Sequence, residues 1–242
     1  MTEKGDLAGA HEMYQQALTI QKEIGEKSYY ASTLVDEGKV LKEQAELDKA
    51  RNTYQEALSI QQQLGEKNSA AETKLALADL DFDSGRASDA EQLARVALQE
   101  FEAQKEPDQE IYAEGLLSRS LLEQGEIGEA NENIAKALEL SKKSPDVFSR
   151  FSLALDHAYV LAATKNITAA ENAARQALGE TERLGLLRLH LEASLALGEV
   201  QMQRKNPDMG RKRLEETGKT ARSKGFELIA RKASAARQAT NP

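Results

Sequence analysis

The stretch YQQALTIQKEIGEK (Tyr14–Lys27) returns 40 residues later as YQEALSIQQQLGEK (Tyr54–Lys67), with nine of its fourteen residues unchanged. A fixed period of roughly 20 to 50 residues is typical of solenoid proteins, in which each repeat packs only on its neighbours. If the period extends along the whole chain, it decides the architecture.

Small and apolar residues recur at this period throughout the sequence. Four columns begin at Ala10, Tyr14, Ala17 and Leu18, and their spacing of i, i+4, i+7 and i+8 places them on one face of a helix. We call this amphipathic helix of each repeat helix B. The first column reads Ala10, Ala50, Ala90, Ala130, Ala170 and Gly210.

A second small-residue column indicates another helix in each repeat, helix A, and it reads Gly38, Ala78, Ser118, Ala158 and Gly198. Glycines such as Gly25, Gly65 and Gly185 are expected to end the B helices, and Pro107 and Pro145 act as breakers instead. The predicted B helices span about 6–24, 47–64, 87–104, 127–143, 167–184 and 208–224. The predicted A helices span about 28–44, 68–84, 108–124, 146–164 and 187–204, with a last helix from 226.

Composition supports an all-α protein and argues against several functions. The 242 residues contain 5% aromatics, no tryptophan and no cysteine, which excludes disulfides, thiolate catalysis and cysteine metal sites. No apolar window reaches the roughly 18 residues of a membrane span, and the N-terminus lacks a signal peptide. We therefore expect a cytoplasmic protein, unless a membrane span lies upstream of this sequence.

Charge is unevenly distributed along the chain. The net charge is −8, which argues against a general nucleic-acid surface. Residues 205–242, however, contain ten basic and four acidic residues. This basic end is interpreted as a solvated cap, as a head-to-tail contact with a second copy, or, least favoured, as a nucleic-acid contact.

The repeats predict a single domain over residues 1–242. One pair of helices buries too little apolar surface to offset the backbone entropy of folding, about 1 to 2 kcal/mol per residue. The stack of pairs is therefore the folding unit. It begins in mid-repeat at helix B and ends with a modified repeat and a capping helix in residues 205–242, where Pro207, Thr217 and Gly218 break the columns.

The combined pattern of Gly38, Ala50, Tyr54, Ala57 and Leu58 resembles the tetratricopeptide repeat. The 40-residue period resembles the long-helix version of this family, as in C-terminal arrays of bacterial signalling proteins that contain protein kinases or winged-helix regulators. The resemblance implies a right-handed α-α superhelix of about twelve antiparallel helices without strands. It also implies a non-catalytic protein-interaction scaffold, the regulatory or sensory tail of a larger protein.

Motifs that suggest chemistry are explained better by the repeats. DFDSG at 81–85 and GEIGEA at 125–130 fall on repeat ends and turns, without a kinase catalytic loop or a phosphate-binding loop. Of the histidines, His157 lies in a core column, where we expect a packed, hydrogen-bonded ring, and His11 and His190 are expected at the surface. Acid pairs such as Asp79 with Asp83 are read as solvated faces. We expect no enzyme activity, metal or cofactor.

The resemblance implies a concave groove lined by the A helices, with aromatic anchors and acids that select a basic or amphipathic partner. An alternative is that the apolar residues only pack between A helices. The candidate lining is Val35, Lys39, Lys42, Glu72, Leu75, Asp79, Phe82, Tyr112, Arg119, Leu122, Leu155, Tyr159, Glu192, Leu195, Glu199 and Met202, with Ser32 and Ser152 beside them.

Two other functions stay open at this stage. The superhelix is alternatively a small-molecule-sensing domain, or a homo-oligomerisation arm whose groove is filled by a second copy. The family's chaperone-binding members hold a C-terminal carboxylate with Lys and Asn, whereas this chain has Val35, Lys39 and Ala76 near those positions. We therefore expect no carboxylate clamp.

Overall fold

The computed structural model describes residues 5–239, and this part of the chain forms twelve α-helices and no strand. Odd-numbered helices are the predicted B helices and even-numbered helices are the A helices. Helices α7 and α10 end two residues earlier than predicted, and the other ends differ by one residue or none. The helices are α1 Leu7–Ile24, α2 Lys27–Glu43, α3 Leu47–Leu64, α4 Lys67–Asp83, α5 Ala87–Gln104, α6 Pro107–Glu123, α7 Ile127–Ser141, α8 Val147–Ala163, α9 Ile167–Leu184, α10 Leu187–Met202, α11 Asp208–Ser223 and α12 Glu227–Gln238.

The turns between helices repeat every 20 residues, half the sequence period. One residue at each regular turn has a positive φ, which directs the chain back against the helix just completed. Glycine occupies most of these positions, since it adopts positive φ without strain. The positions are Gly5, Gly25, Ala45, Gly65, Gly85, Lys105, Gly125, Lys165, Gly185 and Gly225.

Two turns depart from this series, at residues 145 and 205. Neither Pro145 nor Lys205 has a positive φ. A proline ring fixes φ near about −65°, so Pro145 cannot adopt the left-handed conformation. Between α10 and α11, Pro207 directly precedes the first helical residue, Asp208, and the turn is built differently.

The predicted small-residue columns are buried. Ala50, Ala90, Ala130 and Ala170 have no exposed surface, and Ala10 is 2% exposed. At Gly210 a β-carbon would lie 2.8 Å from the carbonyl oxygen of Gly198 and from the nitrogen of Met202. Helices α10 and α11 therefore approach backbone to backbone, which explains why this position holds only small residues.

The helix A column that contains Gly38 and the helix B column that contains Tyr54 are matched in size. Gly38 faces the buried ring of Tyr54, and Gly198 faces Leu214, since a β-carbon at either glycine would lie under 3 Å from the larger side chain. Where helix A has alanine, helix B also has alanine: Ala78 and Ala94 share one core cluster, and Ala158 and Ala174 share another. A glycine in helix A thus makes room for a large side chain in helix B, whereas an alanine leaves room only for another alanine.

The fold contains two compact units, with a boundary inside α8. The N-terminal unit comprises residues 8–42 and 46–153, and its core clusters link α1 to α3, α2 to α4, and α4 to α7. The C-terminal unit comprises residues 154–239 with the segments 5–7 and 43–45, and its clusters link α8, α9 and α10. That the whole chain is one domain stays a prediction. Across residues 5–239, no helix has the length and apolarity needed to cross a bilayer.

The size matching predicts a specific coupling between Gly38 and Tyr54. Gly38→Ala should lower the free energy of unfolding by about 1 to 3 kcal/mol, because the added methyl group overlaps the ring. Tyr54→Ala should lower it by about 3 to 5 kcal/mol by leaving a cavity. The double variant, which recreates the native Ala78–Ala94 pairing, should be more stable than the sum of the two effects predicts, as measured by urea unfolding. Strict additivity would contradict the size matching.

Candidate functional site

The A helices of the N-terminal unit present a row of apolar side chains that the core covers only in part. Val35 on α2, Phe82 on α4, and Tyr112 and Leu122 on α6 pack against core clusters with one side and are half-buried. Leu75, by contrast, is 5% exposed and belongs to the core. We call Val35, Phe82, Tyr112 and Leu122 the A-face row.

Ionic contacts cross the same helices. The ammonium of Lys42 on α2 pairs with Asp79 and lies 3.3 Å from Asp83, both on α4. The prediction that these two aspartates form a solvated face is wrong, because the Asp83 side chain is only 3% exposed and both carboxylates share one lysine. The contact ties the A helices of adjacent repeats together.

Arg119 and Glu72 also contact the neighbouring A helix. The guanidinium of Arg119 on α6 lies 4.3 Å from the ring centre of Phe82 on α4, a cation–π contact. Glu72 is exposed and accepts a hydrogen bond of 3.5 Å from the side-chain amide of Gln109. Phe82 is therefore stacked from one side by a cation of its own chain.

In the C-terminal unit, the candidate residues also find partners within the fold. The Tyr159 hydroxyl donates to a carboxylate oxygen of Glu199 at 2.6 Å, and Arg188 pairs with Glu192 at 2.6 Å. Leu155, Leu195 and Met202 are 8%, 6% and 6% exposed. Met202, one of the candidate lining residues, is buried because the last turn of α10 lies against the first turn of α11.

The positions considered for a carboxylate clamp offer one cation. Lys39 is exposed and pairs with Asp36 at 3.0 Å, whereas Val35 and Ala76 pack against a core cluster. Because Val35 and Ala76 supply no hydrogen-bond donors from their side chains, the residues present do not form the Lys and Asn pattern of the clamp.

The three histidines are not grouped. His157 is half-buried without a hydrogen bond among residues 5–239, and burial lowers its pKa. His11 is not a free surface residue, because its Nδ1 lies 2.6 Å from the buried carboxylate of Glu37. His190 is half-buried. In the part of the chain that the structure describes, no three His, Cys, Asp or Glu side chains are arranged to hold a metal ion.

Glu114 is a buried acid that the sequence pattern did not reveal. Its side chain is 4% exposed, Lys136 is 3.9 Å away, and its Oε2 has no hydrogen-bond partner among the described residues. Burial raises the pKa of Glu114, and the nearby Glu102 and Glu110 act in the same direction. In the folded state the carboxyl group therefore takes up a proton at higher pH than in the unfolded chain, so its contribution to stability decreases as pH rises through that window.

The basic end neutralises part of its own charge. Arg211 pairs with Asp208, Lys219 and Arg237 pair with Glu215, and Arg222 and Arg231 pair with Glu227. Apart from Met209, which is 65% exposed, its large apolar residues are buried, among them Leu214, Phe226 and Ile229, as expected of a terminal repeat and its capping helix. Self-association through this end stays a prediction.

The comparisons with known proteins agree with this architecture. Residues 1–225 match the family model described as a MalT-like TPR region. No curated protein sequence matches the chain.

Similar solved structures include a Rap protein complexed with competence and sporulation factor, with 13% identity, a TM-score of 0.71, and coverage of 94% of this chain and 68% of that one. The apo form of RapI has 15% identity, a TM-score of 0.66, and coverage of 96% and 92%. A STAND protein with a tetratricopeptide repeat sensor from Pyrococcus horikoshii has 14% identity, a TM-score of 0.57, and coverage of 92% and 36%. At these identities the likeness shows the fold alone, an all-α tetratricopeptide solenoid.

The Lys42 contact predicts a large effect from a single substitution. Lys42→Met should lower the free energy of unfolding by about 3 kcal/mol, because it removes the ammonium that two poorly solvated carboxylates share. Lys39→Met on the same helix is the matched control. Its side chain is 57% exposed, so the loss should stay within about 0.5 kcal/mol. Equal losses for the two variants in urea unfolding would contradict this assignment.

Proposed function

Because the chain belongs to the MalT-like TPR region family, we propose that it is a non-catalytic scaffold that binds a peptide or protein segment along its A helices. In this proposal it is a regulatory or sensory part of a larger signalling protein, and the A-face row is the anchoring surface. The partner is an amphipathic segment that covers Val35, Phe82, Tyr112 and Leu122 with its apolar side.

The observation that carries the proposal is the incomplete burial of the A-face row. Alanines and leucines of the core columns reach complete or nearly complete burial in the same helices, as at Ala78 and Leu117. Four larger apolar side chains on three successive A helices nevertheless keep part of their surface outside the core. Apolar surface left outside the core and bordered by charged residues is typical of interaction sites.

The acidic residues give this surface a weaker preference for basic partners than the sequence alone predicts. Asp79, Glu192 and Glu199 bind Lys42, Arg188 and Tyr159 of the same chain, so these acids are partly satisfied before a partner arrives. Lys39 and Glu72 are the candidate lining residues that remain exposed. We therefore expect apolar contacts to dominate the affinity and charges to adjust it.

The structural neighbours are consistent with this function. One of them is a Rap protein complexed with competence and sporulation factor, and another has a tetratricopeptide repeat sensor. Both show that this fold occurs in proteins of recognition or sensing. The class of partner proposed for this chain, an amphipathic segment, is inferred from the chain's own surface.

The test uses peptides selected from a random library against the whole chain. Leu122→Glu should weaken binding at least about tenfold, or about 1.4 kcal/mol, because it places a charge in the apolar row. Val96→Glu is the control, since Val96 is 44% exposed on helix B α5 and is not part of the A-face row. Free-acid and amidated forms of a selected peptide should bind within about tenfold of each other.

Fluorescence anisotropy on the three proteins separates the outcomes. The proposal fails if Val96→Glu loses as much affinity as Leu122→Glu, or if the library yields no peptide that binds below about 100 µM. A strong preference for the free carboxylate would contradict the absence of a clamp.

A further inference from the structure

A second candidate site lies in the C-terminal unit, at the irregular turn between α10 and α11. A pocket of about 190 Å³ opens there, where the turn lacks the left-handed residue of the regular series. Three helices and the turn contribute to it. The pocket is lined by Glu171, Arg175, Gln201, Arg204, Asn206 and Met209.

The one carboxylate in this lining is already occupied. Glu171 is 5% exposed; one oxygen accepts a bond of 3.2 Å from Arg175, and the other accepts from Nε of Arg204. The hydrogen bond from Arg204, together with that from Arg175, lowers the pKa of Glu171, so it is ionised at neutral pH. Both guanidiniums keep further N–H groups that Glu171 does not use.

Gln201 and Asn206 add donors rather than acceptors. Gln201 is only 2% exposed, and its Oε1 accepts a bond of 3.2 Å from Nε of Arg213. Within residues 5–239 its Nε2 has no partner and, unlike most of the side chain, stays open to solvent, which leaves a free donor in the pocket lining. The Oδ1 of Asn206 accepts from the backbone N–H of Asp208 at 3.0 Å, so its amide nitrogen is the group left over.

A third guanidinium stands behind the pocket. Arg213 forms no ion pair among the described residues, and its contact with Gln201 fixes that side chain. Burial, with the nearby charge of Arg175, lowers the pKa of Arg213, a sign of crowded positive charge. Two guanidiniums thus bind Glu171, and a third, Arg213, binds Gln201 behind them, with Glu216 as the other nearby carboxylate.

The same positions 80 residues earlier in the chain show that the repeat does not require these donors. There, Glu91 accepts from Arg95 at 2.9 Å and from Gln124 at 2.8 Å, in the arrangement that Glu171 has with Arg175 and Arg204. Leu121 replaces Gln201, and Glu126 and Glu129 replace Asn206 and Met209. The earlier copy is acidic, so of these two copies only the later one has the donor-rich lining.

We propose that this pocket binds an oxyanion, either the carboxylate of an acidic ligand or a phosphate group. Arg175 and Arg204 supply charge and paired N–H groups, Gln201 and Asn206 supply neutral donors, and Met209, 65% exposed at the rim, offers an apolar contact to the rest of the ligand. The site is separate from the A-face row, and neither proposal depends on the other.

Isothermal titration of the whole chain at constant ionic strength tests the proposal, with sodium phosphate in one arm and N-acetylglutamate amide in the other. Saturable binding of either probe at one site is expected, and the arm that saturates identifies the oxyanion. Arg204→Gln, which introduces the residue of the earlier copy, should weaken binding about tenfold or more. As a control in the acidic copy, Arg95→Gln, at the position that corresponds to Arg175, should leave binding unchanged.

Two further variants distinguish a binding site from a structural ion cluster. Asn206→Glu, at an exposed turn position, should abolish binding without loss of circular dichroism signal. Glu171→Gln should tighten binding several-fold, because it frees guanidinium N–H groups and removes the competing carboxylate. The proposal is overturned if neither probe saturates by about 50 mM. It is also overturned if the folded Asn206→Glu and Arg95→Gln variants bind alike.

Discussion

The structure depends on how closely the two helices of each repeat approach one another. At Gly210 there is no room for a β-carbon against the backbone of α10, and at Ala50, Ala90, Ala130 and Ala170 there is room for a methyl group and no surface left exposed. Interiors packed at this density tolerate neither extra volume nor cavities. In each unit, the size of the residue in this small-residue column therefore fixes the distance between the two helices of a repeat.

This constraint explains where the molecule is regular and where it is free to vary. Residues with a positive φ recur at intervals of 20 residues, with two positions missing from the series, so the columns stay in register. The two exceptions coincide with the prolines after α7 and α10. The second is where the donor-rich pocket opens, with Arg204 and Asn206 in its wall. The packed columns stay nearly constant across these interruptions, whereas the residues around the turn differ between copies.

The sequence was sufficient to predict the helices and the buried columns, because a 40-residue period leaves few alternatives for a chain of this composition. It was insufficient for the candidate site, because half-buried and buried positions on an A helix share one periodicity. Met202 and Leu195 follow the same spacing as Tyr159 yet are covered by neighbouring helices. Ion pairs such as Lys42 with Asp79 join residues 37 positions apart, a spacing that no local pattern reveals. The pocket at Gln201 could be found from the sequence only by comparing the same position in different repeats and asking where the residues differ.

The most direct test of the account compares two alanines on helix α7 by urea unfolding. Ala130 has no exposed surface and lies in the small-residue column, whereas Ala135 is exposed on the same helix. Ala130→Leu should cost about 3 kcal/mol or prevent folding, because the helices must separate to admit the side chain, and Ala135→Leu should change stability by less than about 0.5 kcal/mol. Equal stability of the two variants would show that the columns do not set the helix spacing.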